Sequence, residues 1–215
     1  YPTDSLTLDA KGMEIKTVAL IKGTKQIPLK YEYKDDHNQR IKLDKTYKAN
    51  ESYVIYIDYT AKPDEYQEKY GTDDFLGIKG MYFINPKGEE KDKPTQIWTQ
   101  GETEATSVWC PTIDKPNQKT TEEIYMTVPA KYVTLSNGKL MSQKKNADGT
   151  RTDYWKMDLP HSPYLFFLGV GNYSITKDSW RGKEVNYYVE PEYASVAKKI
   201  FGNTPEMIEY FSKIT

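Results

Sequence analysis

Apolar side chains recur at every second position over long stretches of this chain. Ile27, Leu29, Tyr31 and Tyr33 alternate strictly with their neighbours, and Tyr53, Ile55, Ile57 and Tyr59 do the same. A period of two puts successive side chains on opposite faces, so both runs predict half-buried β-strands. Residues 6–20 alternate more loosely, through Leu6, Leu8, Met13 and Ile15, and Ile41 with Leu43 continues the theme. The breaks between these runs, Lys22-Gly23-Thr24 and Asp35-Asp36-His37-Asn38, have hairpin spacing and predict antiparallel pairing. Residues 80–85 (GMYFIN) read as a short buried strand closed by Pro86-Lys87-Gly88. Asn137-Gly138 tolerates positive φ at both positions, which predicts a two-residue hairpin turn between strands at 132–135 and 139–143. Ala147-Asp148-Gly149-Thr150 repeats the device before a strand over 151–159. Residues 164–170 (YLFFLGV) form a continuous apolar run suited to a strand buried on both faces, and 179–190 reads as one more strand.

The period then changes. Tyr193, Val196, Ala197, Ile200 and Phe201 fall at helical spacing, with Gly202 in place as a C′ residue. Thr204 and Pro205 read as an N-cap and first helical position, and Met207, Ile208 and Phe211 form an apolar stripe that must cover something. Residues 62–74 are polar and read as a loop, although Tyr66 and Tyr70 at i, i+4 also fit one helical turn. Residues 87–93 are a charge run and read as a solvated loop. The fold class is therefore all-β and antiparallel, with a C-terminal helical segment.

Length and charge narrow the partners. A chain of 215 residues suits one large domain, or one domain with an appendage. Lysine and arginine number 30 against 31 acidic residues, a balance that gives no reason to expect nucleic acid or an anionic membrane as a general partner. No apolar run is long enough to cross a bilayer as a helix. One cysteine excludes an internal disulfide framework, and a start at Tyr1 is expected of a trimmed or processed chain. The catalytic inventory is thin. The two histidines, His37 and His161, are far apart, whereas a metallopeptidase helix needs two imidazoles one turn apart with a carboxylate. No GxSxG and no phosphate-cradling Gly-rich loop occurs, and Cys110 between Trp109 and Pro111 reads as a buried, inert thiol. Glu102 and Glu104 follow Gln100 in a strand-to-loop passage and, by chemistry alone, are surface groups.

The densest stretch is 98–129, which holds two tryptophans, the cysteine, several prolines and a period-2 strand. Thr99, Gln100 and Glu102 spell TQxE; Pro111, Asp114, Pro116, Lys119 and Thr121 fall at the spacing of FPCxDxPxxKxT; Pro129 ends the strand and Ser136-Asn137-Gly138 follows. Residues 160–173 (PHSPYLFFLGVGNY) are similar to PMSTYLxAFxVGxF. On these residues the chain resembles the amino-terminal domain of the zinc aminopeptidase N family, which includes the leukotriene hydrolase. The resemblance implies a saddle-shaped β domain over 1–190, a large sheet with smaller sheets closing the core. It implies that 191–215 is a helical lead-in to a thermolysin-like catalytic domain on the same polypeptide. The parent would be a zinc metallo-aminopeptidase that removes N-terminal residues from peptides. Zinc would belong to that catalytic domain and not to this segment, which lacks HExxH, its distal glutamate, the GxMEN strand and the transition-state tyrosine, and is expected to be inactive alone. The segment would cap the cleft and exclude folded substrates. Glu102 would bind the substrate α-amine, with Gln100 as neighbour or orienting group; an ammonium taken out of water needs such acceptors at short range.

Several positions depart from the family pattern. Ser107 stands where many members have Arg, Cys110 and Thr112 where Phe and Cys are usual, Glu122 in place of an aromatic, and His161-Ser162-Pro163 in place of Met-Ser-Thr. Two other readings compete: a β-sandwich module binding carbohydrate or protein through its 19 tyrosines and four tryptophans, and a family member without peptidase activity that serves as a scaffold.

Overall fold

The structure, a computed structural model, describes residues 1–71 and 79–214. Its first half contains β1 (Thr3–Asp9), β2 (Met13–Lys22), β3 (Lys25–Pro28), β4 (Tyr31–Glu32), β5 (Asn38–Tyr47), β6 (Ile55–Ala61), the helix α1 (Pro63–Tyr70), β7 (Met81–Ile84) and β8 (Gln96–Thr99). The second half contains β9 (Thr120–Pro129), β10 (Val133–Ser136), β11 (Lys139–Lys145), β12 (Thr150–His161), β13 (Leu168–Gly171), β14 (Ser174–Trp180) and β15 (Lys183–Val189), followed by the helices α2 (Ala197–Phe201) and α3 (Thr204–Ile214).

The strands form small sheets ordered β1-β5-β4, β3-β2-β6, β10-β13-β8-β7, β11-β12-β9 and β14-β15, every pairing antiparallel. The predicted all-β class is observed, and the alternating runs supply the cores. Ile41 and Leu43 turn inward from β5 while Val18 and Leu20 turn inward from β2. A second core joins Met126, Trp155 and Val170, with Ile97, Ile124, Leu135 and Leu168 packed around them. Both early breaks are hairpins: Lys22 pairs with Lys25 across Gly23-Thr24, and β4 pairs with β5 across the Asp36 turn, where φ is 56°.

Four local expectations are corrected. Asn137-Gly138 does not close a hairpin, because β10 pairs with β13 whereas β11 pairs with β12 in another sheet. The Asn137 amide instead bridges to a distant segment: its Nδ2 donates to Leu165 O at 2.9 Å, and Phe167 N donates to its Oδ1 at 2.7 Å. Gly138 then passes over β12 at φ 80°, where an added Cβ would stand 1.9 Å from Lys156 O. Gly138→Ala therefore combines left-handed strain with a backbone clash and is expected to cost about 2–4 kcal/mol. Gly149→Ala, also at positive φ but in open space, is expected to cost about 1 kcal/mol. Urea midpoints of the two variants check the order.

The run 164–170 is not one strand. Pro163–Leu165 is a 3-10 turn, and pairing begins only at Leu168. The run is apolar because Phe166 is buried as a turn residue, with no strand partner required. Residues 179–190 are not one strand either. Trp180 pairs with Lys183 across Arg181-Gly182, whose φ values of 47° and 75° make the tight turn between β14 and β15. Finally, α1 occupies part of the predicted loop at 62–74; residues 72–74 lie outside the described residues. Pro63 opens the helix, Asp64 and Glu65 sit in its first turn and Lys69 in its last, charges that complement the helix dipole.

The C-terminal helices form, but α2 begins only at Ala197, and Thr204 is already helical, its hydroxyl donating to Phe201 O at 2.6 Å instead of capping α3. Gly202 is right-handed at φ −65°, so it does not provide the left-handed cap expected of it. The segment is tied down by Glu209, which accepts from Trp180 Nε1 at 2.9 Å and from Arg181 at 2.7 Å, and by Phe201 against Tyr187. On α3, Met207 and Ile214 remain more than half exposed, whereas Ile208 is half-buried.

Candidate functional site

The site begins where β8 runs out of its sheet. β8 lies between β13 and β7, and its last residue, Thr99, is buried. The Thr99 hydroxyl accepts from Leu168 N at 3.0 Å and lies 3.5 Å from Phe166 O as donor. Gln100 N donates to Gly80 O at 2.9 Å, the last tie to the β7 side. The chain then turns sharply. Gly101 is buried, and a Cβ on it would lie 2.5 Å from both Tyr164 O and Thr106 Oγ1. Its carbonyl accepts from Ala105 N at 2.8 Å, and the peptide between Glu102 and Thr103 is cis.

Beyond the turn the backbone is held from below. The hydroxyl of Thr106, in the 3-10 turn Thr106–Val108, donates to Pro163 O at 2.7 Å. Ser107 N donates to Asp114 Oδ2 at 2.8 Å, and Asp114 N donates to Asp9 Oδ2 at 2.8 Å. Ser162 Oγ reaches Pro116 O at 2.6 Å. Lys11 Nζ donates to Glu104 O and Lys115 Nζ to Glu104 Oε2, both at 2.6 Å. Glu104 is thus already paired. Gln100 and Glu102 are different. Both are exposed, and neither side chain has a hydrogen-bond partner among the described residues. An unpaired carboxylate and an amide, two residues apart on an anchored backbone, can accept from a cation without first breaking an internal bond.

Burial explains two neighbouring groups. It pushes the Cys110 thiol up to about 12, helped by the nearby carboxylates of Glu122 and Asp114. At pH 8 the thiolate fraction would be about one in ten thousand, so Cys110 is expected to resist iodoacetamide in the folded chain and to react in denaturant. Mass spectrometry of the labelled protein checks this. Asp114 is raised by burial too, with the Ser107 hydrogen bonds acting against the rise. Ser107, where the family pattern carries Arg, has no accessible surface and lets its amide meet Asp114.

The other candidate residues do not assemble. His37 stacks edge-on against Tyr66 and Tyr70, while His161 lies against Phe166. Among the described residues no three His, Cys, Asp or Glu side chains converge as a metal site. The zinc that the resemblance implies therefore does not fit these residues. The tryptophans offer no open platform: Trp109 and Trp155 are buried, Trp98 stacks on Tyr82 at 4.2 Å, and Trp180 packs against α3 through Glu209.

Sequence reasoning missed two buried charge clusters. Asp153, with no accessible surface, accepts from Arg151 Nε at 2.6 Å and NH2 at 2.8 Å, from Thr134 Oγ1 at 2.6 Å and from Gln143 Nε2 at 3.1 Å. Arg and Asp two apart in a strand share a face, which was the available signal. The second is Glu122, whose carboxylate lies 3.8 Å from His161 Nε2. Both positions depart from the family pattern, and the two departures meet in space.

Residues 1–165 match the family model described as the peptidase M1 N-terminal domain. Human glutamyl aminopeptidase is 33% identical over 105 residues, 48% of this chain and 11% of that protein. Transcription initiation factor TFIID subunit 2 of Gallus gallus is 23% identical over 138 residues, 63% of this chain and 12% of that protein. The matched segments thus cover about a tenth of the length of these relatives. Among solved structures, a mutant M1 zinc metallopeptidase from Deinococcus radiodurans bound to a Tyr-Ser-Ala substrate superposes with TM-score 0.67 at 17% identity, covering 87% of this chain and 39% of that one. At that identity the likeness is one of fold.

Proposed function

We propose, since this chain belongs to the peptidase M1 N-terminal domain family, that it serves as the cleft-capping domain of a zinc-dependent aminopeptidase and lends Glu102 to the substrate amine. The zinc and the groups that activate water belong to a catalytic domain on the same polypeptide. Residues 1–190 are the capping β domain, and 191–215 lead into the catalytic domain. The exposure of Met207 and Ile214 on α3 supports that division, because apolar side chains left in water gain from a packing partner.

One observation carries the reading of the site: Glu102 and Gln100 are exposed and unpartnered on a backbone anchored at Thr99, Gly101, Thr106 and Ser107. A free peptide amine is an ammonium at neutral pH, and a carboxylate is its natural acceptor. An internal peptide bond carries no such charge, so an acceptor here would select chain ends. Gln100 would orient that amine through its amide oxygen. The domain would also narrow the approach, admitting peptides and excluding folded proteins. The test is Glu102→Ala in the polypeptide that joins this domain to its catalytic domain. A fall in kcat/KM for an aminoacyl reporter is expected, and an unchanged kcat/KM overturns the assignment.

A second reading draws on the match to the transcription factor subunit, whose name is not that of a peptidase. In that reading the parent is a non-peptidase scaffold. An HExxH motif downstream in the same polypeptide decides for the enzyme, and its absence decides for the scaffold.

A further inference from the structure

Glu122 and His161 face each other beneath the segment that holds the Gln100–Glu102 loop. Glu122 lies on the inner face of β9, in line with Ile124 and Met126, and is 9% exposed. Neither of its carboxylate oxygens has a hydrogen-bond partner. His161 ends β12 opposite Thr120. Its Nδ1 lies 3.0 Å from Leu159 O, and a carbonyl only accepts, so Nδ1 keeps its hydrogen. That leaves Nε2, buried and without a hydrogen bond, 3.8 Å from Glu122 Oε2.

Charge decides what such a pair can do. A lone carboxylate removed from water is costly, and the group answers by holding a proton or by finding a cation. The remaining groups on the elements around it offer no positive charge. They are the Ser136 hydroxyl from β10, which donates to Phe167 O, the Cys110 thiol after the 3-10 turn, and Asp114 beyond it. Glu123, the next residue on β9, faces the other way and pairs with Tyr154 and Lys156. Among these groups His161 is the one able to share a proton with Glu122.

We propose that Glu122 and His161, facing each other across 3.8 Å, act together as a positioning clasp for the Gln100–Glu102 loop. The connection is short. From His161 the chain runs into Ser162, which bonds Pro116 O, then Pro163, which takes the Thr106 hydroxyl, then Tyr164, whose carbonyl touches Gly101. Phe166, against which His161 packs, offers its carbonyl to Thr99. Residues 161–166 are thus the seat of the loop, and the clasp is at the head of that seat.

The pH window follows from the proton count. Burial pushes the Glu122 carboxyl up from 4.5 to about 7, with the Ser136 hydroxyl opposing. A group raised in the folded state stabilises fully below its ordinary value and loses that contribution as pH rises through the folded one. Between about pH 5 and 7 the folded chain keeps on Glu122 a proton that the unfolded chain has lost, so the unfolding constant of the 215-residue chain should rise by up to about tenfold per pH unit from this group.

The test is a pH titration followed by NMR, and it does not depend on what the loop binds. The His161 ring, told apart from His37 by a His37→Gln variant, and the amides of Gly101, Ala105 and Ser107 should shift with one common midpoint. In Glu122→Gln the His161 midpoint should move, the loop amides should stop responding, and the unfolding constant should lose its slope between pH 5 and 7. Loop amides that ignore pH, or a His161 midpoint unmoved in Glu122→Gln, overturn the proposal. Should Glu122→Gln not fold, the wild-type titration decides alone, because separate midpoints for His161 and the loop amides refute the clasp.

Discussion

Arg151→Ala is expected to destabilise the fold by about 3–5 kcal/mol, the usual consequence of leaving a buried charge without its partner. Asp153 has no accessible surface, and Arg151 supplies two of its four hydrogen bonds. The guanidinium also donates to Ala130 O at 3.1 Å and Tyr132 O at 2.9 Å, so its loss orphans the link to β10 as well. What remains on the carboxylate is Thr134 and Gln143. These cannot neutralise it. The prediction carries a pH signature. Burial alone would raise Asp153, but the bonds from Arg151, Thr134 and Gln143 bring it below the ordinary carboxylate value. In the wild type its contribution is present above about pH 4 and lost as pH falls. In Arg151→Ala the carboxyl is raised instead, and protonation relieves the damage. The difference between the two proteins should therefore shrink from pH 7 to pH 5, as measured by urea midpoints. The double variant Arg151→Met with Asp153→Leu should regain most of the stability, because it leaves no charge buried. A single variant as stable as the wild type would show that the pair is dispensable.

This network also shows how far the sequence could be read. The strands themselves were legible, since a period of two is a local property and each half-buried strand must display it. Tyr53 to Tyr59 therefore announced β6 without any knowledge of its neighbours, whereas the single strand read over Ile27 to Tyr33 breaks into β3 and β4 in different sheets, with Ile27 and Tyr31 exposed. Sheet membership was not legible. Asn137-Gly138 has the chemistry of a hairpin turn, yet its amide is engaged by Leu165 and Phe167, which are close in space and distant in sequence. Local turn propensity lost to a tertiary hydrogen bond. YLFFLGV failed for a related reason: periodicity cannot separate a buried strand from a buried turn, and here Pro163 began a 3-10 turn that consumed half the run. The hairpin at Arg181-Gly182 was hidden because arginine is an unusual residue at positive φ.

The candidate site was legible only through a resemblance. Thr99-Gln100 and Glu102 matched a pattern, but composition alone gave two surface side chains. What the fold adds is the contrast with Glu104. Two carboxylates two residues apart have different fates: Glu104 is paired with Lys115, and Glu102 is left open. No periodicity predicts that difference, because Lys11 and Lys115 reach the loop from separate places in the chain. The Glu122–His161 contact was similarly invisible, although both positions broke the family pattern and one carried a charge where the pattern had an aromatic ring.

In the polypeptide that joins this domain to its catalytic domain, Glu102→Ala is expected to lower kcat/KM for an aminoacyl reporter by about 10- to 100-fold. A hydrogen bond to a charged group is worth about 1.5–3 kcal/mol, and each 1.4 kcal/mol is a factor of ten. Glu102→Gln keeps the shape and one acceptor oxygen but loses the charge, so its loss should be smaller. Gln100→Ala should cost less again, since an amide oxygen is the weaker acceptor. The discriminating measurement pairs two competitive inhibitors that differ only in the amine, one free and one acetylated. If Glu102 meets the ammonium, the substitution weakens the free-amine inhibitor and leaves the acetylated one unchanged. Equal weakening of both would mean that the variant disturbed the cleft as a whole. Stability supplies the control: Glu102 is exposed and unpartnered, so its replacement should change unfolding by less than about 0.5 kcal/mol. A loss of activity without a loss of stability, confined to ligands with a charged end, is the pattern that an amine acceptor must produce. A carboxylate that merely decorates the surface would leave all three measurements where they stood.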